Sequence, residues 1–366
     1  MRAPLAITIV SCAVFTAPFA CSSSDPVAAS PDAAVDARPD ATVELDASCA
    51  GDACVDAAPV PKRPFHLGFT PFPFDATAEA VDKVYEYLAK DADLYGFHML
   101  GGVPWNEAGQ GAGLAGWGSN IRAAFTSQKS KVQPGHAIYL GLTPLNDARA
   151  GLADHWGDAE HMPLTPPWDT YTFDAPEVRA AYLKFCEEAV AHYSPDYLAI
   201  GIEVNLLKKH SPQLWAGYVT LQRETYQALK AKHPTLPVFV TLTAVDLLDG
   251  WTDSDPTAQA QAQALADVLP YSDYLALSFY PYMSKYTTGP LPKDTFDQLA
   301  ARAGGKPIAI SETGYPAETF TMSSIPATFE GTPAKQDAWF AQLFAEAEAR
   351  RFPFLVNFAA RDYDAL

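Results

Sequence analysis

Tyr197-Leu-Ala-Ile-Gly-Ile-Glu203 and Lys306-Pro-Ile-Ala-Ile-Ser-Glu-Thr-Gly-Tyr-Pro316 share one pattern, a short apolar run that ends on a glutamate. A run of this kind reads as a strand buried on both faces, with its carboxylate emerging at the C-terminal end. Similar runs recur at Phe65–Phe69, Leu94–Met99, Ala137–Leu142, Val238–Leu242, Tyr274–Phe279 and Phe354–Phe358, and the two glutamate-ended runs give strands Tyr197–Ile202 and Pro307–Ser311. Amphipathic segments between them predict helices near Ala76–Lys90, Asn120–Ser127, Pro176–His192, Gln213–Lys232, Thr257–Leu269, Asp294–Arg302 and Pro333–Arg350. Asp75 is the expected cap of the first helix, and Pro212 and Pro333 suit first-turn positions. Strictly alternating strands and helices spell an α/β chain folded as a (β/α)8 TIM barrel. An open doubly wound sheet is the alternative. It needs a glycine-rich phosphate turn after the first strand, and Gly68-Phe-Thr-Pro-Phe-Pro73 lacks the amide hydrogens for one. Leu366 follows the eighth strand closely, so the expected barrel lacks its final helix, either because something else covers the gap or because the sequence is a piece of a longer one.

The 366 residues carry a formal net charge of −18, which argues against a nucleic-acid partner, since phosphate binding wants a basic surface. Arg2 and the apolar stretch Ala6–Phe19 predict an export signal over residues 1–20, too short for a membrane span. Ala20-Cys21 followed by Ser22-Ser-Ser-Asp25 resembles a bacterial lipoprotein cleavage site. That resemblance implies a mature chain lipid-anchored through Cys21 in the cell envelope, with ordinary secretion as the alternative. Residues 21–62 are Ala, Asp and Pro rich with almost no aromatics, and so predict a flexible acidic tether. Cys49 and Cys54 inside it suit a small local disulfide. Residues 63–366 are enough for one large domain. Cys186, on a predicted helix, reads as a buried free thiol.

In such a barrel the C-terminal ends of the strands carry the chemistry. Two carboxylates from nearly opposite strand ends, Glu203 and Glu312, form the pair that glycosidic bond hydrolysis requires: a general acid and a nucleophile about 5–5.5 Å apart. Either residue alone also suits an ion pair on the barrel rim. Tyr280, in Ser278-Phe-Tyr-Pro-Tyr282 after the sixth strand, resembles the tyrosine that hydrogen-bonds the nucleophile in retaining glycoside hydrolases, which implies a bond to Glu312 that favours its ionised form, with core packing as the alternative. His98 ends the second strand, and Asn146, Asp147 and Arg361 follow the third and eighth. All suit sugar hydroxyls, and His98 equally suits a contact with the nucleophile or a structural role. Trp105, Trp117, Trp156, Trp168 and Trp251 fall in predicted loops, where they either stack on sugars or anchor the loops to the rim. His155 and His161 share a loop with Asp154, Asp158 and Glu160; an acidic loop facing water is favoured over a calcium site. The histidines are otherwise scattered, so no metal is expected, and with no Ser-His-Asp motif or nucleotide-binding turn evident no cofactor is expected either.

Ile310-Ser-Glu312-Thr-Gly-Tyr-Pro316 resembles the nucleophile segment of the retaining glycoside hydrolases with acid/base on strand four and nucleophile on strand seven. The nearest branch is the endo-β-1,4-galactanases acting on arabinogalactan, whose segment also runs Glu-Thr, aromatic, Pro. Asn357-Phe-Ala-Ala-Arg361-Asp-Tyr-Asp is similar to the strand-eight rim of distant relatives. The resemblance implies that Glu203 is the acid/base, Glu312 the nucleophile, and a polysaccharide or oligosaccharide, galactan-like first, the substrate. Aromatic loops suit internal cuts in a chain. A surface carbohydrate-binding protein without efficient turnover is the second reading. The family places an asparagine, which binds the sugar 2-hydroxyl, before the acid/base, and here that residue is Ile202. Strand alternation points Ile202 away from the side Glu203 faces unless a bulge intervenes. Asn205 or Asn146 is left to supply the amide, and Trp105 a ring.

Overall fold

The computed structural model describes residues 63–252, 258–286, 290–322 and 327–361. Eight parallel strands close into a (β/α)8 barrel: His66–Phe69, Leu94–Met99, Ala137–Leu142, Tyr197–Ala199, a split fifth strand (Val238–Phe239 and Thr241–Thr243), Leu275–Phe279, Ile308–Thr313 and Phe354–Asn357. The split strand closes the ring, because Val238–Phe239 pairs with the fourth strand and Thr241–Thr243 with the sixth. The first and eighth strands pair directly, from His66–Phe354 to Phe69–Asn357.

Alternation along the strands sorts the core into two layers. Leu94, Ala137, Tyr139, Ala199, Phe239, Ala276, Ala309, Phe354 and Val356 fill the barrel. The intervening residues, with the helices' inner stripes, form the larger outer core. Each principal helix lies where the apolar spacing placed it, within a few residues: Ala78–Asp91, Ser119–Ser130, Pro176–Tyr193, Trp215–Lys232, Ala258–Val268, Thr295–Arg302 and Pro333–Arg350. Two start signals differ from expectation. The first helix is capped by Thr77, whose hydroxyl accepts the Ala80 amide, while Asp75 only closes on Ala76. Pro212 opens a separate 3-10 turn, Pro212–Leu214, ahead of Trp215. Pro333 does stand in the first turn, behind the Thr332 cap.

Among the described residues no helix follows the eighth strand, and none is long and apolar enough to cross a membrane. Phe344, 38% exposed on the last helix, pairs with Phe65 and Phe340 at centroid distances of 6.1 and 6.0 Å. The signal, Cys21, the tether and the Cys49–Cys54 pair lie outside the described residues. Cys186 is a buried free thiol whose pKa burial pushes up.

The loops after the second and third strands are locked together. A Cβ added at Gly118 would lie 2.1 Å from the Gly157 carbonyl carbon and 2.4 Å from its oxygen, both backbone atoms that cannot rotate away. Gly118→Ala is therefore expected to force the two loops apart and cost about 1–3 kcal/mol as an overpacking substitution, read as a lowered denaturation midpoint with an unchanged m-value.

Candidate active site

Both glutamates reach the C-terminal mouth of the barrel through breaks in strand regularity. In the seventh strand the register slips at Ser311: Leu277 pairs with Ile310, but the next residue, Ser278, pairs with Glu312. Ala309 faces the barrel interior and Ile310 the outer core. Simple alternation would therefore send Ser311 inward and Glu312 outward. The extra residue is a bulge, which re-aims the side chain after it. In the fourth strand, regular pairing stops at Ala199 and the chain bends over Ile200–Ile202. Glu203 then adopts a left-handed φ of 53°, its amide donating to Thr241 Oγ1 at 2.9 Å, before Asn205–His210 forms a short helix.

The bend inverts the expectation for Ile202. Gly201 faces outward, toward Tyr218 and Val240, whereas Ile202 Cδ1 fills the space over Gly141 together with the Tyr139 hydroxyl and the His98 ring. Ile202 thus lines the floor beneath the carboxylates, where alternation had placed it on the other side.

Glu312 is held by Tyr280, whose hydroxyl donates to Oε1, a contact that the resemblance implies. His98 Nε2 stands 3.7 Å from Glu312 Oε2, and its Nδ1 is 3.2 Å from Thr70 Oγ1. That spacing has the geometry of an ion pair, but burial pushes the His98 pKa down to about 4, so at neutral pH it is a dipolar contact with a neutral imidazole. Burial pushes the Glu312 carboxyl above its ordinary value, against the Tyr280 hydrogen bond and the Arg149 charge, which both pull it down. Tyr280 itself is raised by burial and by the Glu312 charge.

Arg149 is the residue that sequence reasoning missed. Its Nη2 lies 3.3 Å from Glu203 Oε2, the arginine side chain being 2% exposed and the glutamate 9%. Arg149 Nη1 donates to the Asn146 and Asp147 carbonyls, and Asn146 Oδ1 accepts the Ala150 amide at 2.9 Å. Asn146 therefore shapes the turn that delivers Arg149. Arg149, like Glu203, sits at positive φ, 51°. The Glu203 charge acts on His98, Tyr139 and Tyr280, the Glu312 charge on Tyr139 and Tyr280, and the Arg149 charge on His98 and Glu312. Both carboxylates thus lie within electrostatic reach of Tyr139 and Tyr280.

Other expected sugar contacts fall elsewhere. Trp105 is fully buried with its Nε1 donating to the Ala153 carbonyl at 2.8 Å and its ring 5.6 Å from Trp168, so no face is open to a sugar. Trp117, Trp156, Trp168 and Trp251 are also buried. The indoles anchor the loops. Asn205 has no exposed surface either: its Nδ2 donates to Thr243 Oγ1 and Gln261 Oε1, and its Oδ1 accepts the Thr243 amide. These bonds fix the short helix after Glu203 to the fifth strand and leave the amide nothing to offer a ligand. Arg361 lies 4.2 Å over the Phe74 ring, a cation–π contact on the rim. His161 stands 3.6 and 3.7 Å from Asp147 and Asp154, His155 is 3.7 Å from Glu107, and Asp158 accepts from Ser119. That disperses the acidic loop, and among the described residues no three such groups converge on a metal position.

No family model and no curated protein matches the chain. Among solved structures it is similar to the exo-β-1,4-mannosidase Op5Man5 from Opitutaceae bacterium strain TAV5, at 14% identity and a TM-score of 0.54, over 82% of this chain and 53% of that one. It is likewise similar to a GH5_18 variant from Streptomyces cattleya in complex with Manβ1-4GlcNAc, at 15% identity and a TM-score of 0.50, over 82% and 72%. The chain has the TIM-barrel fold of these glycosidases. At such identities the likeness is one of fold, and the residues at the barrel mouth carry the chemical argument.

Proposed function

We propose that the domain is a retaining glycoside hydrolase cutting within a β-linked polysaccharide, with Glu203 as acid/base and Glu312 as nucleophile. The observation that carries it is the pair of strand-end carboxylates at the barrel mouth, Glu312 bonded to Tyr280 beside His98 and Glu203 within electrostatic reach of His98 and Tyr280. Glu312, oriented by the phenol, attacks the anomeric carbon and the bond to the leaving oxygen breaks. Glu203 gives that oxygen its proton, then takes one from the water that releases the sugar. Neutral His98 stands 3.7 Å from Glu312 and places no competing cation beside it. A galactan-like substrate is the first choice, on the sequence resemblance of the Glu312 segment.

One observation favours a second reading, a carbohydrate-binding protein without efficient turnover. Glu203 is ion-paired to buried Arg149, and Ile202 puts an apolar group where the resembled family has an amide. A panel of β-galactan, mannan, xylan and glucan, with released products sized by mass spectrometry, separates the two readings. Oligosaccharides from the wild type and none from Glu312→Gln support an internally cutting hydrolase and name its glycan. Binding without release supports the second reading.

We also infer that the mature chain is held at a bacterial envelope through acylated Cys21. Cys21→Ser is expected to abolish incorporation of labelled palmitate and move the protein from the membrane fraction to the soluble one. Unchanged labelling would overturn the anchor.

A further inference from the structure

Phe320 and Phe344 are the two large apolar side chains exposed among the described residues, and Phe320, at 37%, lies in the segment that leaves the C-terminal end of the seventh strand, the end that carries Glu312. It belongs to a two-stranded hairpin, Phe320–Met322 and Ala327–Phe329, inserted between the seventh strand and the last helix. The antiparallel register sets Phe320 opposite Phe329 and Thr321 opposite Thr328. The hairpin therefore has an aromatic face and a hydroxyl face. Its two phenyl rings are stacked at 5.1 Å, and Thr321 and Thr328 join through their hydroxyls at 3.1 Å.

The aromatic face continues inward. Tyr282 stands 5.6 Å from Phe329, 6.3 Å from Phe320 and 5.7 Å from Tyr315, and 5.9 Å from Tyr280, whose hydroxyl holds Glu312. A continuous path of rings thus runs from the nucleophile candidate to the one exposed phenyl group at its outer end. The base of the hairpin is pinned. A Cβ at Gly331 would lie 2.4 Å from the Glu318 carbonyl oxygen and 2.6 Å from that of Pro316, and Gly331 bonds the Thr319 hydroxyl. The last helix ties down the start of the segment through Gln336, which donates to the Tyr315 carbonyl at 2.7 Å. A flat apolar ring at a fixed distance from the reacting centre suits the C–H face of a pyranose, which buries apolar area without asking for hydrogen bonds.

We propose that Phe320, backed by Phe329 and Tyr282, is a remote platform for a sugar unit of a β-linked chain lying in the catalytic cleft. This rests on the carbohydrate reading of the site. It places the platform on a hairpin, in the role that the buried tryptophans do not fill. A chain long enough to span from Glu312 to the hairpin touches Phe320, and a short one does not.

The test uses the full chain carrying Glu312→Gln, with and without Phe320→Ala or Phe320→Trp, titrated with β-1,4-linked galacto-, manno-, xylo- and gluco-oligosaccharides from dimers to hexamers. In the series that binds, Phe320→Ala is expected to weaken hexamer affinity about tenfold, equivalent to about 1.4 kcal/mol, and dimer affinity less than about twofold, while Phe320→Trp retains hexamer binding. Equal loss at every length, no loss at any length, or no binding in any series would overturn the platform. Turnover by the Phe320 wild type is assayed separately. Length-dependent binding without turnover sinks the hydrolase assignment and leaves the platform standing.

Discussion

Glu312→Gln is expected to lower kcat/KM about 10⁴-fold, a loss of about 5.4 kcal/mol in transition-state stabilisation, because the amide cannot form the glycosyl ester. The same substitution is expected to make the fold more stable at neutral pH. Burial raises the Glu312 pKa in the folded state, so the protonated form is the favoured one there. The stability linked to that preference is complete below the unfolded glutamate value, near pH 4, and is lost as pH rises through the raised folded value. Glutamine is neutral at all pH. The variant should therefore gain over the wild type above the raised value, and the gain should vanish below about pH 4. Urea titrations across that range read it, and a pH-independent difference would contradict the burial argument. The two carboxylates can also be told apart chemically. With an activated aryl glycoside and azide, a Glu312→Gly protein should give the glycosyl azide of inverted anomeric configuration, and a Glu203→Gly protein the retained one. The reverse pattern would exchange the assigned roles. Tyr280→Phe removes a hydrogen bond that favours ionised Glu312, so the acid limb of the pH–rate profile should move to higher pH.

The barrel was legible because its signal is redundant. Each strand is an apolar run long enough to be buried on both faces, and each principal helix repeats its stripe over two turns or more. Glu203, Glu312, His98 and Tyr280 were singled out because each ends or follows an apolar run, and Tyr280 by resemblance as well, yet the way both glutamates are aimed depends on breaks in regularity that the runs do not announce. Other residues placed by such breaks were missed. Ile202 lines the floor because the chain bends at Ile200–Ile202, and alternation carries no warning of a bend. The Ser311 bulge is equally silent, although its effect on Glu312 was assumed in assigning that residue to the mouth. Asn205 looked available because it follows a catalytic candidate. Its partner Gln261 is 56 residues away, and only the fold brings that amide to it. The tryptophans misled for a different reason. Loops are mostly surface, but the loops after the second and third strands are long enough to bury an apolar layer of their own, into which indoles fit with their N–H groups satisfied. Arg149, in Asn146-Asp-Ala-Arg-Ala-Gly151, reads as a solvated loop charge, and nothing in its spacing announces a buried one.

Arg149→Met is expected to destabilise the domain by about 3–5 kcal/mol, the usual cost of removing one partner from a buried ion pair. Methionine fills much of the volume but leaves the Glu203 carboxylate without its guanidinium in a site that is almost closed to water. Backbone strain adds to the expectation. Arg149 and Glu203 both hold left-handed φ values, 51° and 53°, which non-glycine residues adopt at a cost that surrounding contacts must offset. The ion pair is such a contact, joining the turn after the third strand to the end of the fourth. A double-mutant cycle isolates it. If the pair is the source, Arg149→Met in a Glu203→Gln background should cost much less than in the wild type, with an interaction energy of about 1.5 kcal/mol or more in chemical denaturation. Additive losses would mean that Arg149 matters through its bonds to the Asn146 and Asp147 carbonyls instead. The cycle also bears on function, since a hydrolase needs Glu203 to release a proton to the leaving oxygen while Arg149 holds its carboxylate. A substrate that turns Arg149 away from Glu203 would reconcile the two demands. In that case Arg149→Lys, which keeps the charge on a more flexible stem, should retain more turnover than Arg149→Met at matched stability. Equal activity of the two variants would place Arg149 outside the reaction, as a brace of the barrel mouth.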